Sequence, residues 1–497
     1  MTTTVTLPGF VALGIALVLA WCGTPGHAVT HNAAPLAALV SSQATSSQRA
    51  GRIPPLSTAA KTFIPYSDAS RIIEALRQSL PPDLIDKSSA ELEAAWPAWV
   101  RQRDATIRAR LERGDEDSIV HFWQYGTSFT TLPPVTGRNM ARLGGADAAA
   151  GILTKRLDDL VKGVAAPRTN ERLQFARQVL ERHGIDPTTS AGMAQARAYL
   201  EGLRRRVQAE YDEYQRTLGS AQSLDAAAAL AAYATMFRQR GLASDTSLLP
   251  SFAIEQALES RRSQGLIAAG RVRRAAIIGP GLDVANKDDG YDFYPQQTVQ
   301  PFGLMDSLLR LGLARQDDLV LATFDLSPMI NQHLQASLAR ARAGGDYVVY
   351  LPLPGEEQWN PDLVSYWRRF GDTIGTDIEA GPAPPAAGAV RVRAVRMPPA
   401  RMASVVPRDL NIIVERLEPL PPGERFDLIV ATNILVYYDV FEQELALANI
   451  AAMLRPGGLF LTNTPVPPIP LLKLSERYST VSYSERQRDH LFWYERQ

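Results

Sequence analysis

Phe426-Asp427-Leu428-Ile429-Val430-Ala431-Thr432-Asn433-Ile434-Leu435-Val436-Tyr437-Tyr438-Asp439 decides how this chain is read. The largely apolar residues ending at Thr432-Asn433 show no alternating polar face, which is the pattern of a strand buried on both sides. Residues 441–454 then carry apolar side chains at helical spacing. Arg455-Pro456-Gly457-Gly458 stops that helix before a second apolar run, Leu459-Phe460-Leu461. The unit is strand–helix–strand in a parallel sheet. Polar residues at the carboxyl end of such a strand stand where open α/β sheets hold their ligands.

Working back from this unit, Arg274-Ala275-Ala276-Ile277-Ile278 reads as a first strand running into Gly279-Pro280-Gly281-Leu282-Asp283. A Gly-x-Gly turn after a strand lets backbone approach a ligand closely, because no Cβ intervenes. Residues 319–325 form a second strand ending at Asp325, with Ser327 placed to cap the next helix and Pro328 at its first position. Asp325 thus sits where a carboxylate can accept hydrogen bonds from vicinal hydroxyls, or else serves the turn alone. An insertion spans about 346–409, after which Leu410-Asn411-Ile412-Ile413-Val414-Glu415 reads as the third sheet strand. The last residues, 475–497, alternate as two strands of a closing hairpin.

The wording of these segments resembles class I S-adenosylmethionine-dependent methyltransferases, from about Arg274 to the C-terminus. The Asn-Ile-Leu-Val-Tyr-Tyr-Asp run is most similar to the chemoreceptor-methylating branch. The resemblance implies a Rossmann-like α/β fold and S-adenosylmethionine as cofactor. It places Gly279, Gly281 and Asp283 at the cofactor's methionine portion, Asp325 at its ribose, Glu415 at its adenine and Thr432 beside it. Asn433 would position cofactor or nucleophile, and Tyr437 would wall the pocket; helix packing is the alternative for the tyrosines. Methyl transfer needs no strong acid or base, because the sulfonium already activates the leaving group and the protein aligns the reactants. Ile277 departs from the pattern, since the family carries an acid two residues before the first glycine.

The preceding half reads differently. Residues 59–241 have helical patterning, with Ser67-Asp68-Ala69-Ser70 able to cap one helix and Ser88-Ser89-Ala90-Glu91 resembling a capping box. Longer helices follow at 153–161, 170–183 and 190–218, then an Ala-rich helix at 224–237. The aromatics of His121-Phe122-Trp123-Gln124-Tyr125-Gly126-Thr127-Ser128-Phe129 either line a groove or pack a helix end. The division expected is 1–28 signal peptide or anchor, 29–57 flexible linker, 58–245 helical domain and 246–497 Rossmann-like domain, preceded by an all-α N-terminal domain in class terms.

Residues 10–22 are apolar but shorter than the ~20 residues of a membrane span, and Gly26 and Ala28 suit a signal-peptide cleavage site. The expectation is export to the periplasm or beyond, with a membrane-anchored chain and cytoplasmic catalytic domain as the alternative. Lys+Arg 52 against Asp+Glu 52 leaves zero net charge in 497 residues, which argues against a broad nucleic-acid surface. The single cysteine, Cys22, rules out a disulfide framework, and six scattered histidines suggest no metal site. The function expected is methyl transfer to a small-molecule or protein acceptor. The alternative is an exported, catalytically retired protein of the same fold that binds or scaffolds.

Overall fold

The computed structural model describes residues 59–136, 139–221, 240–246, 248–283, 295–353, 359–381, 385–387, 391–475, 479–485 and 487–497. The expected signal peptide, linker and Ala-rich helix lie outside these residues. In chain order the first half contains β1 (Ala60–Phe63), α1 (Tyr66–Ala75), α2 (Ser89–Tyr125), α3 (Ala146–Ala165), α4 (Glu171–Arg182) and α5 (Ser190–Ala221). The second half begins with α6 (Leu249–Ser263), β2 (Arg274–Ile278), α7 (Gln300–Arg310), β3 (Val320–Asp325) and α8 (Pro328–Arg342). It continues with β4 (Tyr347–Leu353), α9 (Pro361–Arg369), β5 (Thr376–Ile378), β6 (Arg391–Met397), α10 (Pro399–Ala403), β7 (Val405–Asp409) and β8 (Glu415–Glu418). Last come β9 (Phe426–Ala431), α11 (Val440–Met453), β10 (Leu454–Thr462), β11 (Leu472–Leu474), β12 (Ser479–Ser482) and β13 (Arg488–Arg496).

The main sheet has the order β7-β3-β2-β9-β10-β13-β11, with β12 also on β13. Strands β7, β3, β2, β9 and β10 run parallel, and β13 runs antiparallel to its neighbours. This is the expected mixed α/β class with a mostly parallel sheet and an antiparallel close. Every residue of β2 and β9 is buried, in keeping with the apolar runs at 275–278 and 428–431.

Alternate side chains of these strands feed two cores. Ala275, Ile277, Leu321 and Val430 pack against α6, α7 and the distal helical elements, while Ala276, Ile278, Phe324 and Ile429 pack against α1 and α11. The 37-residue helix α2 belongs to both. Its first part (Trp96, Trp99, Ile107) lies in the second core and its last part (Ile119, Phe122, Trp123) in the first, so α2 passes from one face of the sheet to the other.

Several expectations change in detail. Ser88 and Glu91 do form the capping box that opens α2. Helix α1 instead begins at Tyr66 behind Pro65, with no side-chain cap. Ser327 stands at the N-cap of α8 with Pro328 following, but its hydroxyl does not cap. The third sheet strand is β7, not 410–415. Residues 412–414 form a turn, and Glu415 opens β8, which pairs with β1 in a separate two-stranded sheet. Strand β1 therefore stands inside the stretch read as helical. Strands β4, β6 and β5 form a small antiparallel sheet within the stretch read as an insertion. The aromatics near His121 pack a helix end, with Phe122 and Trp123 buried and Phe122 against Phe129.

Candidate functional site

The chain turns one way from β2 to β3 and the other way to reach β9, so the carboxyl ends of β2 and β9 border a topological switch point. Register brings the candidate residues together there. Ile278 stands beside both Phe324 and Ala431, so the next positions along the three strands are Gly279, Asp325 and Thr432. The Gly279 N–H donates to Phe324 O at 2.8 Å. Gly279 (φ +66°) and Gly281 (φ +64°) occupy the left-handed region, which favours glycine. A Cβ on Gly279 would lie 2.1 Å from Ile434 Cδ1, and one on Gly281 would lie 2.8 Å from Thr246 Cβ. The turn is thus closely packed on protein on both sides.

Asp325 is buried, and burial pushes its carboxyl up to about 7. Three backbone amides oppose this: Ser327 donates at 2.8 Å, and Gly281 and Leu326 also hydrogen-bond the carboxylate. Donors aimed at a carboxylate favour its charged form. The bond from Gly281 ties the glycine turn directly to Asp325. A carboxylate offers about four acceptor sites, so three amides do not exhaust it.

Asp283 follows the turn and is equally buried, yet among the described residues both of its carboxyl oxygens lack a hydrogen bond. Burial pushes it well above the usual carboxylate range; the nearby Arg172 opposes that rise and Asp245 adds to it. Arg172, from α4, donates to the Asp283 carbonyl at 2.7 Å. Residues 244–246 run alongside: Leu282 N–H donates to Ser244 O, Thr246 N–H to Leu282 O, and Ser118 Oγ of α2 to Asp245 Oδ1. His121 also pairs with Asp245, at 3.2 Å, and Asn170 hydrogen-bonds Ser128.

At the end of β9, Asn433 adopts φ +60°. Its backbone N–H donates to Asn463 Oδ1 at 2.8 Å, and Asn463 Nδ2 donates to Asn433 Oδ1 at 2.7 Å. Among the described residues Thr432 Oγ1 is buried without a partner, as is Thr464 Oγ1 beside Asn463. Tyr437 is half-buried in a short 3-10 turn, and its carbonyl accepts from the Arg110 guanidinium of α2 at 3.1 Å. The same guanidinium lies over the ring of Tyr438.

Glu415 is apart from this group in its bonding. Its carboxylate accepts from Asn411 N–H at 2.7 Å and pairs with Lys61 at 3.1 Å and Arg108 at 3.2 Å. The acid at the end of the third sheet strand is Asp409, which stands opposite Asp325 in register and pairs with the same two cations. The reading of 410–415 as a strand put Glu415 in Asp409's place.

The donor set suits a nucleoside better than a metal. Among the described residues no group of three or more His, Cys, Asp or Glu could hold a metal ion. Asp325 offers acceptor capacity for vicinal hydroxyls, and Asp283, Thr432 and Thr464 bring orphaned buried polar atoms to the same rim. The sequence reading did not find Asn463 or Arg110. Thr462-Asn463-Thr464 repeats, at the end of β10, the Thr432-Asn433 pattern at the end of β9, and that repetition was a usable signal. Arg110 left none, since it lies in a charged helix whose path over the rim depends on tertiary packing.

No protein-family model matches the chain, and no curated protein matches it. Among solved structures, N-methyltransferase NodS from Bradyrhizobium japonicum WM9 is 14% identical, with 50% of this chain and 97% of that one covered and a TM-score of 0.23. TrmN from Thermus thermophilus is 14% identical over 53% of each chain, with a TM-score of 0.24. An O-methyltransferase family protein from Burkholderia thailandensis is 13% identical, with 82% of this chain and 98% of that one covered and a TM-score of 0.22. At these scores the likeness bears on neither activity nor the residues of the rim, and the sheet order stands on strand pairing alone.

Proposed function

We propose that the rim binds S-adenosylmethionine and that the chain transfers its methyl group to a small-molecule or protein acceptor. The carrying observation is the meeting of the glycine turn with Asp325 at the switch point, joined by the bond from Gly281. When bound, the cofactor supplies a methyl group activated on a sulfonium. The chain's part is to bind and align: Asp325 takes ribose hydroxyls, Gly279, Gly281 and Asp283 border the amino-acid portion, and Thr432 and Asn433 face the reacting end. Tyr437 remains a wall residue in this reading. Asp409, not Glu415, is the third-strand acid on the side of Asp325, and Lys61 and Arg108 already engage both acids.

A second reading is a binding or scaffold protein without catalysis. It is favoured by the packing of Ile434 and Thr246 against the glycine turn and by Ile277 in the place of the family's acid. Under either reading the expected placement is exported or membrane-anchored, and the neutral net charge favours no nucleic-acid partner. Among the described residues no helix is long and apolar enough to cross a membrane. Isothermal titration of the whole chain with S-adenosylhomocysteine separates the readings: saturable heat lost in Asp325→Ala supports the cofactor site. No heat at millimolar ligand removes it.

A further inference from the structure

Beyond Asn433, the rim contains a polar chain whose hydrogen-bond direction is fixed from both ends. At one end stands the backbone N–H of Asn433, which can only donate, so the Asn463 atom facing it is Oδ1. The other face of that amide is therefore Nδ2, which donates to the side-chain oxygen of Asn433. At the far end Asp489 accepts from Tyr483 Oη at 2.7 Å, and the Asn463 side chain also hydrogen-bonds its carboxyl. Burial pushes Asp489 up, while the Tyr483 and Asn463 bonds oppose that rise, as donors to a carboxylate must. Asn463 is buried, and both of its amide ends are used.

One group in this chain is left over. Asn433 is half-buried, its Oδ1 is taken, and its Nδ2 has no hydrogen bond among the described residues. An unconstrained Asn can present either end of its amide to a ligand, because oxygen and nitrogen exchange by a flip. Here the flip is blocked. Reversing Asn433 would set its NH2 against the NH2 of Asn463, and reversing Asn463 would set NH2 against the backbone N–H of Asn433.

We infer that Asn463 and Asp489 are positioning residues that lock Asn433 with its NH2 toward the crevice, so the group seated there is a hydrogen-bond acceptor oxygen and not an amine or ammonium. This rests on the rim being the ligand site proposed above and adds the polarity of the second ligand. A donor directed at that point rejects a cationic group by leaving two donors opposed, a larger penalty than a lost contact.

The network can be run backwards. In Asn463→Asp/Asp489→Asn, the new carboxylate accepts both the Asn433 N–H and the Asn433 NH2, and the amide introduced at position 489 donates to it. Asn433 then turns its oxygen to the crevice. Acetate and methylammonium, titrated against the whole chain while the side-chain amide signals of Asn433 are followed by NMR, test this. Wild type is expected to respond to acetate at least about tenfold more strongly than to methylammonium, and the double variant is expected to invert that order. Equal responses in wild type, a methylammonium preference, or an acetate preference that survives the reversal overturns the inference. If the double variant does not fold, the wild-type preference alone decides. S-adenosylhomocysteine heat on the same wild-type sample separates the two failures: heat without probe preference defeats only this inference, and no heat defeats the cofactor reading.

Discussion

Asp325 and Asp283 flank the same glycine turn, both buried, and the fold treats them in opposite ways. Asp325 receives backbone N–H groups from Gly281, Leu326 and Ser327, whereas neither oxygen of Asp283 receives a hydrogen bond from the described residues. Burial raises both carboxyls, but Asp325 is held to about 7 while Asp283 goes well above the usual range. The difference teaches that burial alone does not set the role of an acid; the local supply of donors does. Near neutral pH, Asp325 can meet a ligand as an acceptor, whereas burial drives the Asp283 carboxyl toward its neutral form.

The largest expected effect follows from removing the acceptor. Asp325→Ala takes away the hydroxyl-binding carboxylate and strands three amides, and loss of such a hydrogen-bonded charged group costs about 2–5 kcal/mol of binding. Calorimetry with S-adenosylhomocysteine should show no saturable heat in this variant. A retained affinity within tenfold of wild type would detach Asp325 from the ligand.

Titration comes next in size. An unfolded aspartate titrates near about 3.9, and folded Asp325 near about 7. Between these values the folded chain holds a proton that the unfolded chain has released, so stability falls as pH rises and levels off above the folded value. Three pH units correspond to about 4 kcal/mol. Urea unfolding at pH 5 and pH 8 should therefore show a smaller loss of stability in Asp325→Asn than in wild type. A parallel pair of pH profiles would mean that Asp325 titrates normally. Ligand affinity in wild type is expected to rise through the same window, since hydroxyl donors prefer the ionised form.

Most of the architecture was legible because β2, β3, β9 and β10 are apolar runs punctuated by glycine, proline or Asp-Leu-Ser-Pro turns. The third strand was not. Val405-Val406-Pro407-Arg408-Asp409 carries a proline and charges, which suit an edge strand with few obligations on its outer side. Leu410-Asn411-Ile412-Ile413-Val414 reads as a strand on composition, yet those residues are buried as a turn beneath α11, where Asn449 donates to the carbonyls of Ile412 and Ile413. Burial without extension leaves the same apolar signature. The site was legible at the ends of β2, β3 and β9 and hidden at the ends of β7 and β10 and along α2, whose route across the rim is a tertiary choice.

The turn between the two acids offers a smaller perturbation. Gly279→Ala would force a side chain into the left-handed region and place its Cβ against Ile434. The strain alone costs about 1–3 kcal/mol, and the clash must be relieved by moving Ile434. Thermal or urea unfolding should show at least this loss. Gly423, where a Cβ meets no atom, provides a control substitution expected to be near neutral. Equal stability of the two variants would mean that the turn relaxes freely and does not hold Asp325 and Asp283 apart.

The smallest effect belongs to Asp283, and its smallness is the informative part. Burial favours the neutral form of the Asp283 carboxyl, which resembles an asparagine side chain in size and polarity, so Asp283→Asn should change stability by less than about 1 kcal/mol, in line with substitutions that break no partnered group. The competing account makes Asp283 an ion-pair partner of Arg172, and removal of one member of a buried pair costs about 3–5 kcal/mol. The structure favours the first. Arg172 hydrogen-bonds the backbone carbonyl of this residue, which survives the substitution, and the carboxyl oxygens take no hydrogen bond from the described residues. Urea unfolding near pH 7 decides between the accounts. A loss of several kcal/mol would make Asp283 a charged partner of Arg172, and the contrast with Asp325 would then be one of partner type instead of protonation.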